Sequence, residues 1–409
     1  MKAIFVNAYY GRGGAARAAL RLADALRGLG VEVEYVSVYP ADMSVIEKVK
    51  YLARVLFDRL PGLLVAKKKV MFSSGGLSNS RLVSYINKSD ADVVHFHWVN
   101  AGSLSIDDLS RVIKPAFWTL HDIWPITGGC HYSFGCLRFT DHCGACPQLG
   151  SDDPKDLSFR VLSGKRTLFR GARNITLLGV SEWVSSVARD SSVARDTPVA
   201  TLPNAIDTSV FFPEHQQEAR FKLGLDSAVK VVLFGAIAAT TDERKGFSEL
   251  CTALNNLPDD LDYQLVVFGA DRLPGLPETR RPIHFMGHIS DDSVLRSIYS
   301  SADVMVVPSK QETFGLTAAE AMACGTPVVC FATTGLLDIV DHKVNGFAAI
   351  PYSTVDLASG ICWVLKNESG IEFSEASREK IVRSFSYEVV AKRCFKIYSK
   401  KLNLQGDTL

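Results

Sequence analysis

The chain has 409 residues, 45 basic and 44 acidic side chains for a formal charge of +1, and 47% hydrophobic residues. That length suits two or three domains, each able to bury its own core. The charge balance leaves no global field to attract nucleic acid, and no apolar run reaches the roughly 18 residues that a membrane-spanning helix needs.

The start, "MKAIFVNAYYGRGG", carries one Lys and then a strand-like run broken by glycines, without the apolar core and cleavage site of a signal peptide. A cytoplasmic protein is expected. Nine cysteines, an odd number, fit a reducing compartment better than a disulfide framework.

"KAIFVNA" reads as a buried strand, "AARAALRLADALRGLG" as a helix, and "VEVEYVSV" as a strand of period two. Strand, glycine turn, helix and strand make a βαβ unit, which implies a parallel sheet. The turn Gly11-x-Gly13-x-x-Ala16, with Glu32 about 20 residues on, fits a relaxed dinucleotide fingerprint, so an NAD-linked oxidoreductase is one reading. In the other reading, Gly13 and Gly14 let the loop approach a donor phosphate or an acceptor.

From Lys48 to Phe72 runs "KVKYLARVLFDRLPGLLVAKKKVMF". Lys48, Lys50, Arg54, Arg59 and Lys67, Lys68 and Lys69 punctuate Tyr, Leu, Val and Phe. The pattern suits a helix lying at an anionic membrane surface, and equally a solvated helix with its apolar side in the core.

"ADVVHFHW" and "PAFWTLHD" follow as buried strands, and "NITLLGVS" as a later one. His95 and His97 are expected on opposite faces, one toward a cleft and the other in the core. His121 sits at a strand end. None of these patterns supplies the three convergent ligands of a catalytic metal site. Between them lies "GGCHYSFGCLRFTDHCGACPQ", with Cys130, Cys136, Cys143 and Cys146 at spacing C-x5-C-x6-C-x2-C. Four thiols in an irregular, glycine-bearing segment suit a tetrahedral structural zinc; redox-active or simply buried thiols are the alternatives.

The prolines of "LPNAIDTSVFFPEHQQ" mark a linker. A second alternating series follows: "KVVLFGAI", "YQLVVFGA", "ADVMVVPS" and "PVVCFAT", with helices such as "DDSVLRSIYSSA" between them. The expected fold is α/β, two doubly wound, Rossmann-like parallel-sheet domains facing a central cleft. The expected divisions are residues 1–203 with a Cys-rich insert at 128–148, residues 204–385, and a final helix in 386–409 that crosses back. Ligands of such sheets bind beyond the carboxyl ends of the strands.

"QETFGLTAAEAMACGTPVV", Gln311 to Val329, begins at such an end. Backbone N–H groups near Phe314, Gly315 and Leu316 open a helix and carry the positive end of its dipole, which suits a diphosphate. Glu312 and Glu320 flank them and can accept hydrogen bonds from hydroxyls. The plainer alternative is a capping box of Thr317 and Glu320, with Glu312 in solvent.

"ETFGLTAAE" resembles the paired-glutamate element of family 4 of the retaining glycosyltransferases, which have the GT-B fold. The likeness extends to "GRGGAARAAL", "TLHD", "LPNAIDTSVF", "RKGF" and "AEAMACGTPVV". It implies transfer of a sugar from a UDP- or GDP-sugar, bound by the second half, to a glycan or polyprenyl-linked saccharide bound by the first. Glu312 would contact the donor sugar and Glu320 the ribose, while the amides of Phe314, Gly315 and Leu316 face the diphosphate. Lys245 would neutralise the leaving group, and His121 would support the transition state by hydrogen bonding. The family usually places an Arg after Gly235; here Ala236 stands there, and Arg244 is the candidate replacement. No catalytic metal is implied. The cysteine pattern is similar to one in a subset of the family associated with bacterial exopolysaccharide and O-antigen assembly, and a polyprenyl-linked acceptor would require access to the inner face of the cytoplasmic membrane. A sugar-nucleotide epimerase and a non-catalytic sugar-nucleotide binder share these residues as competing readings.

Overall fold

In a computed structural model, which describes residues 1–67, 71–171, 174–272, 275–277, 279–367 and 370–404, the chain divides into two compact units. Residues 1–203 with 390–409 form one, and residues 204–389 the other. Each is built on a six-stranded parallel sheet with helices between the strands, a Rossmann-like arrangement.

The first sheet comprises β1 (Lys2–Tyr9), β2 (Glu32–Tyr39), β3 (Val93–Phe96), β4 (Ala116–Leu120), β5 (Ile175–Gly179) and β6 (Val199–Thr201), in the order β2-β1-β3-β4-β5-β6. Every residue of β3, β4 and β5 is buried, which is why these strands read as continuous apolar runs and not as alternations. In register, Phe5 lies opposite His95 and His95 opposite Phe117.

The two histidines of "VVHFHW" correct an expectation. His95 and His97 are two positions apart, and a strand repeats its facing every two residues, so they share a face. Their rings stack at 4.3 Å between centroids, and both are buried.

The second sheet comprises β7 (Lys230–Gly235), β8 (Tyr263–Phe268), β9 (Ile283–Phe285), β10 (Val304–Val307), β11 (Val328–Phe331) and β12 (Gly346–Ala349), in the order β12-β11-β10-β7-β8-β9. The chain winds outward from β7 to β9 and then returns to place β10 on the other side of β7. The strand order therefore reverses between β7 and β10, and their two following loops flank the reversal point, where open α/β sheets hold ligands.

Residues 202–217 have little regular structure but are firmly held. Phe211 is fully buried, Ile206 bridges to Ser386, and Arg378 donates to the carbonyls of Thr208, Phe211 and Ala323 at 3.1, 2.6 and 2.6 Å. The final helix, Tyr387–Lys401, begins in the second unit and continues in the first. There Tyr398 is fully buried, with its hydroxyl 2.5 Å from His95 Nδ1.

Val45–Val65 is a 21-residue helix opened by a capping box, in which the Ser44 side chain accepts from the Glu47 N–H and Glu47 accepts from the Ser44 N–H. Lys67 lies just beyond its end; Lys68 and Lys69 lie outside the described residues.

Candidate active site

The loop after β7 carries Lys245 and the loop after β10 carries Glu312. The fold brings these residues together: Lys245 Nζ lies 2.6 Å from Glu312 Oε2, and each side chain is 18% exposed. Glycine makes the approach feasible. Gly246 holds φ at +74°, and a Cβ there would stand 2.1 Å from the Pro308 carbonyl oxygen at the end of β10. The backbones are also joined, since the Lys310 N–H donates to the Arg244 carbonyl at 2.8 Å.

Glu312 is fixed from a third loop, the one after β11. Its N–H donates to Thr334 Oγ1 at 3.0 Å, and its carbonyl accepts from the Gly335 N–H at 2.9 Å. Sequence reasoning passed over Thr334 and Gly335, although "ATTG" directly after a buried strand is the same signal that singled out Glu312.

The helix that starts here is Leu316–Ala323, and Gly315 is its N-cap with φ +100°. No side chain caps it. The N-cap is therefore Gly315 and not Thr317, so the capping box of Thr317 and Glu320 does not form. Phe314 is buried against Phe385, with ring centroids 5.5 Å apart, which anchors the turn. Glu320 points inward at 3% exposure and accepts from the Tyr299 hydroxyl at 2.7 Å. Tyr299 was not singled out, because in "RSIYSSA" it occupies an ordinary apolar helix position.

Arg244 is partly buried, its guanidinium paired with the Asp242 carboxylate. Ala236, where the resembling family has a cation, is buried in the core. In the first unit, Gly13 holds φ +90° as N-cap of helix Gly14–Gly28, and a Cβ on it would meet nothing within 4 Å. Conformation, not crowding, explains that glycine. Glu32, the ribose candidate of the dinucleotide reading, is instead ion-paired to Lys2 at 3.0 Å.

His121 follows β4 in the first unit. Its Nε2 lies 3.0 Å from His97 Nδ1, and the rings of His95, His97 and His121 form a column. Burial holds His121 down to about 4 and His95 to about 3, and puts His97 well below its usual range, so the column is neutral near pH 7. The adjacent Asp122 accepts from Trp98 Nε1–H at 2.8 Å and the Trp124 N–H at 2.9 Å, and lies 2.7 Å from His131 Nδ1. Burial pushes its carboxyl up, but His131 and these donors outweigh burial and leave it below the usual range.

Cys130, Cys136, Cys143 and Cys146 all line one small cavity of about 20 Å³, in company with Phe72, Arg138 and Phe139. All four are free thiols. Among the described residues, no group of three or more His, Cys, Asp or Glu side chains is arranged to hold a metal ion as it stands.

The model for "Glycosyl transferases group 1" matches residues 215–382, and that for "Glycosyltransferase Family 4" matches residues 12–210. The latter span includes most of the glycine-rich turn that the oxidoreductase reading used. An uncharacterised glycosyltransferase of Methanocaldococcus jannaschii is 29% identical over 201 residues, 47% of this chain and 50% of that protein. A phosphatidyl-myo-inositol mannosyltransferase of Mycobacterium leprae is 25% identical over 395 residues, covering 94% of this chain and 92% of that one. Among solved structures, sucrose-phosphate synthase from Thermosynechococcus elongatus aligns with a TM-score of 0.69 at 20% identity, over 99% of this chain and 100% of that one. Anabaena HepE in complex with UDP-glucose aligns at 0.63 and 17% identity, over 98% and 100%. With two such matches reaching from residue 12 to residue 382 over a pair of Rossmann-like units, the chain belongs to the GT-B glycosyltransferases of family 4.

Proposed function

We propose that this transferase moves a sugar, with retention of anomeric configuration, from a nucleoside-diphosphate sugar to a glycan or lipid-linked saccharide used in bacterial surface polysaccharides, working at the inner face of the cytoplasmic membrane. The observation that carries the donor side is the contact of Lys245 with Glu312 at 2.6 Å beside the uncapped start of helix Leu316–Ala323. One cation, one hydroxyl acceptor and a set of backbone N–H donors stand together at the strand-order reversal.

In this reading the diphosphate sits on the N–H groups of Phe314, Gly315 and Leu316, and the Lys245 ammonium turns from Glu312 to the phosphate oxygens. Glu312, so released, accepts hydrogen bonds from the sugar hydroxyls. Glu320, its rotamer set by Tyr299, takes the ribose hydroxyls. As the bond from the anomeric carbon to the phosphate oxygen lengthens, negative charge grows on the leaving diphosphate, and Lys245 and the helix-start amides stabilise it where it develops. The acceptor hydroxyl attacks from the same face and passes its proton to the departing phosphate. Neutral His121, in the first unit, is assigned to hydrogen bonding near the sugar. Gly13 and Gly14 are assigned to the approach of donor or acceptor, and Arg244 remains a candidate second cation for the diphosphate.

HepE was solved with UDP-glucose, which favours a uridine donor, and the mannosyltransferase named above acts on a phosphatidylinositol, which favours a lipid-borne acceptor. Cys130, Cys136, Cys143 and Cys146 are the candidate ligands of a structural zinc because all four line one small cavity, and their side chains would have to turn to converge on an ion. Elemental analysis of purified protein is then expected to give about one zinc per chain.

The test of function is an NMR time course with UDP- and GDP-sugars and a panel of saccharide acceptors. Turnover that needs an acceptor and first yields the donor's own anomer supports the proposal. Interconversion of donor sugars without an acceptor would assign an epimerase, and nucleotide binding with no release of diphosphate would assign a binder.

A further inference from the structure

A helix packed on a domain normally turns its apolar side inward and its polar side to water. Val45–Val65 does the reverse. Its inward side carries Tyr51, Val55, Asp58 and Gly62; Tyr51 and Val55 pack on the small cluster around Tyr39, and Asp58 is buried, accepting from the Gly75 N–H at 3.1 Å. At 3.6 residues per turn, Val49, Leu52, Leu56, Leu60, Leu63 and Leu64 fall on the far side. They face solvent: Leu52 is 61% exposed, Leu63 63% and Leu64 75%. A continuous outward apolar stripe of this length marks an interaction surface.

The charges decide what the surface fits. Lys48 and Arg59 fall along one border of the stripe and Lys50 along the other, and all three are exposed. The helix's acids are turned away from the stripe, Glu47 in the capping box and Asp58 in the interior. Arg54 is occupied in the fold, donating to the carbonyls of Gly102 and Ser78 at 2.7 and 3.1 Å. An apolar face bordered on both sides by cations matches the junction of acyl chains and anionic headgroups. No helix among the described residues is long and apolar enough to cross a membrane, so such a helix lies on the surface and not through it.

We propose that helix Val45–Val65 docks the protein on an anionic lipid surface, with its axis in the membrane plane, its apolar stripe at the acyl boundary and Lys48, Lys50 and Arg59 among the headgroups. The proposal rests on the reading of a lipid-linked acceptor only for its purpose; the surface itself is argued from the helix alone. Because the helix is already capped and packed, docking needs no folding step.

The experiment is flotation of the full-length protein with phosphatidylcholine vesicles, with and without phosphatidylglycerol. The wild type is expected to float with the anionic vesicles, with unchanged helical circular dichroism. Joint substitution of Leu52→Ser, Leu56→Ser and Leu63→Ser is expected to weaken binding at least tenfold, and each of Lys48→Gln, Lys50→Gln and Arg59→Gln about fivefold. Thermal midpoints should stay near wild type, since these side chains are exposed. Equal recovery of wild type with and without vesicles overturns the proposal, as does serine-variant binding at wild-type strength. Reversible self-association without lipid that the serine variant abolishes, together with no flotation, would overturn it in favour of a second copy of the chain. Donor turnover on a soluble acceptor is measured on the same preparations. Turnover without flotation fails the docking proposal alone, and flotation without turnover fails the functional reading alone.

Discussion

Lys245 and Glu312 stand 67 positions apart in sequence and touch in the fold. Each was readable by itself, as a cation and a carboxylate just after strands, but their pairing depends on β10 returning to lie beside β7, which no local pattern announces. The pair neutralises itself, so neither partly buried charge stands uncompensated. Lys245→Ala is expected to lower kcat by about 10²- to 10³-fold, since it removes charge stabilisation that grows toward the transition state. Steady-state kinetics with saturating donor would show it, and a change confined to KM would contradict it. Tyr299→Phe removes the hydroxyl that orients Glu320; donor KM should rise several-fold with kcat nearly kept, and stability should fall by about 1 kcal/mol. Isothermal titration with the nucleoside diphosphate and a denaturant melt read the two effects separately.

At the scale of elements, the buried strands were legible because they are continuous apolar runs: "ADVVHFHW", "PAFWTLHD", "NITLLGVS", "YQLVVFGA" and "ADVMVVPS" contain β3, β4, β5, β8 and β10. The short strands β6, β9 and β12 were missed. β6 and β9 have three residues each and β12 is Gly-Phe-Ala-Ala, so none offers an apolar run to read, and pairing with a formed sheet is what makes them strands. The turns between β strands and helices carry strict geometric demands that sequence shows only as glycine. Gly246→Ala would place a methyl group on the Pro308 carbonyl at a backbone angle that costs an L-residue, and should destabilise the second unit by about 3 kcal/mol. Thermal unfolding that leaves this variant within about 0.5 kcal/mol of wild type would disprove the constraint.

For the whole molecule, the neutral histidine column of the first unit links stability to pH. His95, His97 and His121 all sit below the ordinary histidine value of 6.5, at about 3, lower still than the ordinary range, and about 4 respectively. Between 6.5 and about 4 the unfolded chain takes up protons that the folded chain refuses, so stability is full above 6.5 and drains as the pH falls through that window. The thermal midpoint is therefore expected to drop between pH 7 and pH 5, and His97→Gln should flatten that slope; a midpoint independent of pH there would refute the assignment.

The helix Tyr387–Lys401 has a consequence for how the protein is made. Tyr398, which seals His95 and packs its ring 4.5 Å from Phe117, is synthesised 303 positions after that histidine. The amino-terminal half thus emerges first yet waits, with part of its interior bare, until the entire carboxyl-terminal half has been synthesised. A chain stopped before residue 387 lacks Tyr398, so its first unit is expected to lose stability although every strand of that unit is present, which limited proteolysis of the truncated chain would read.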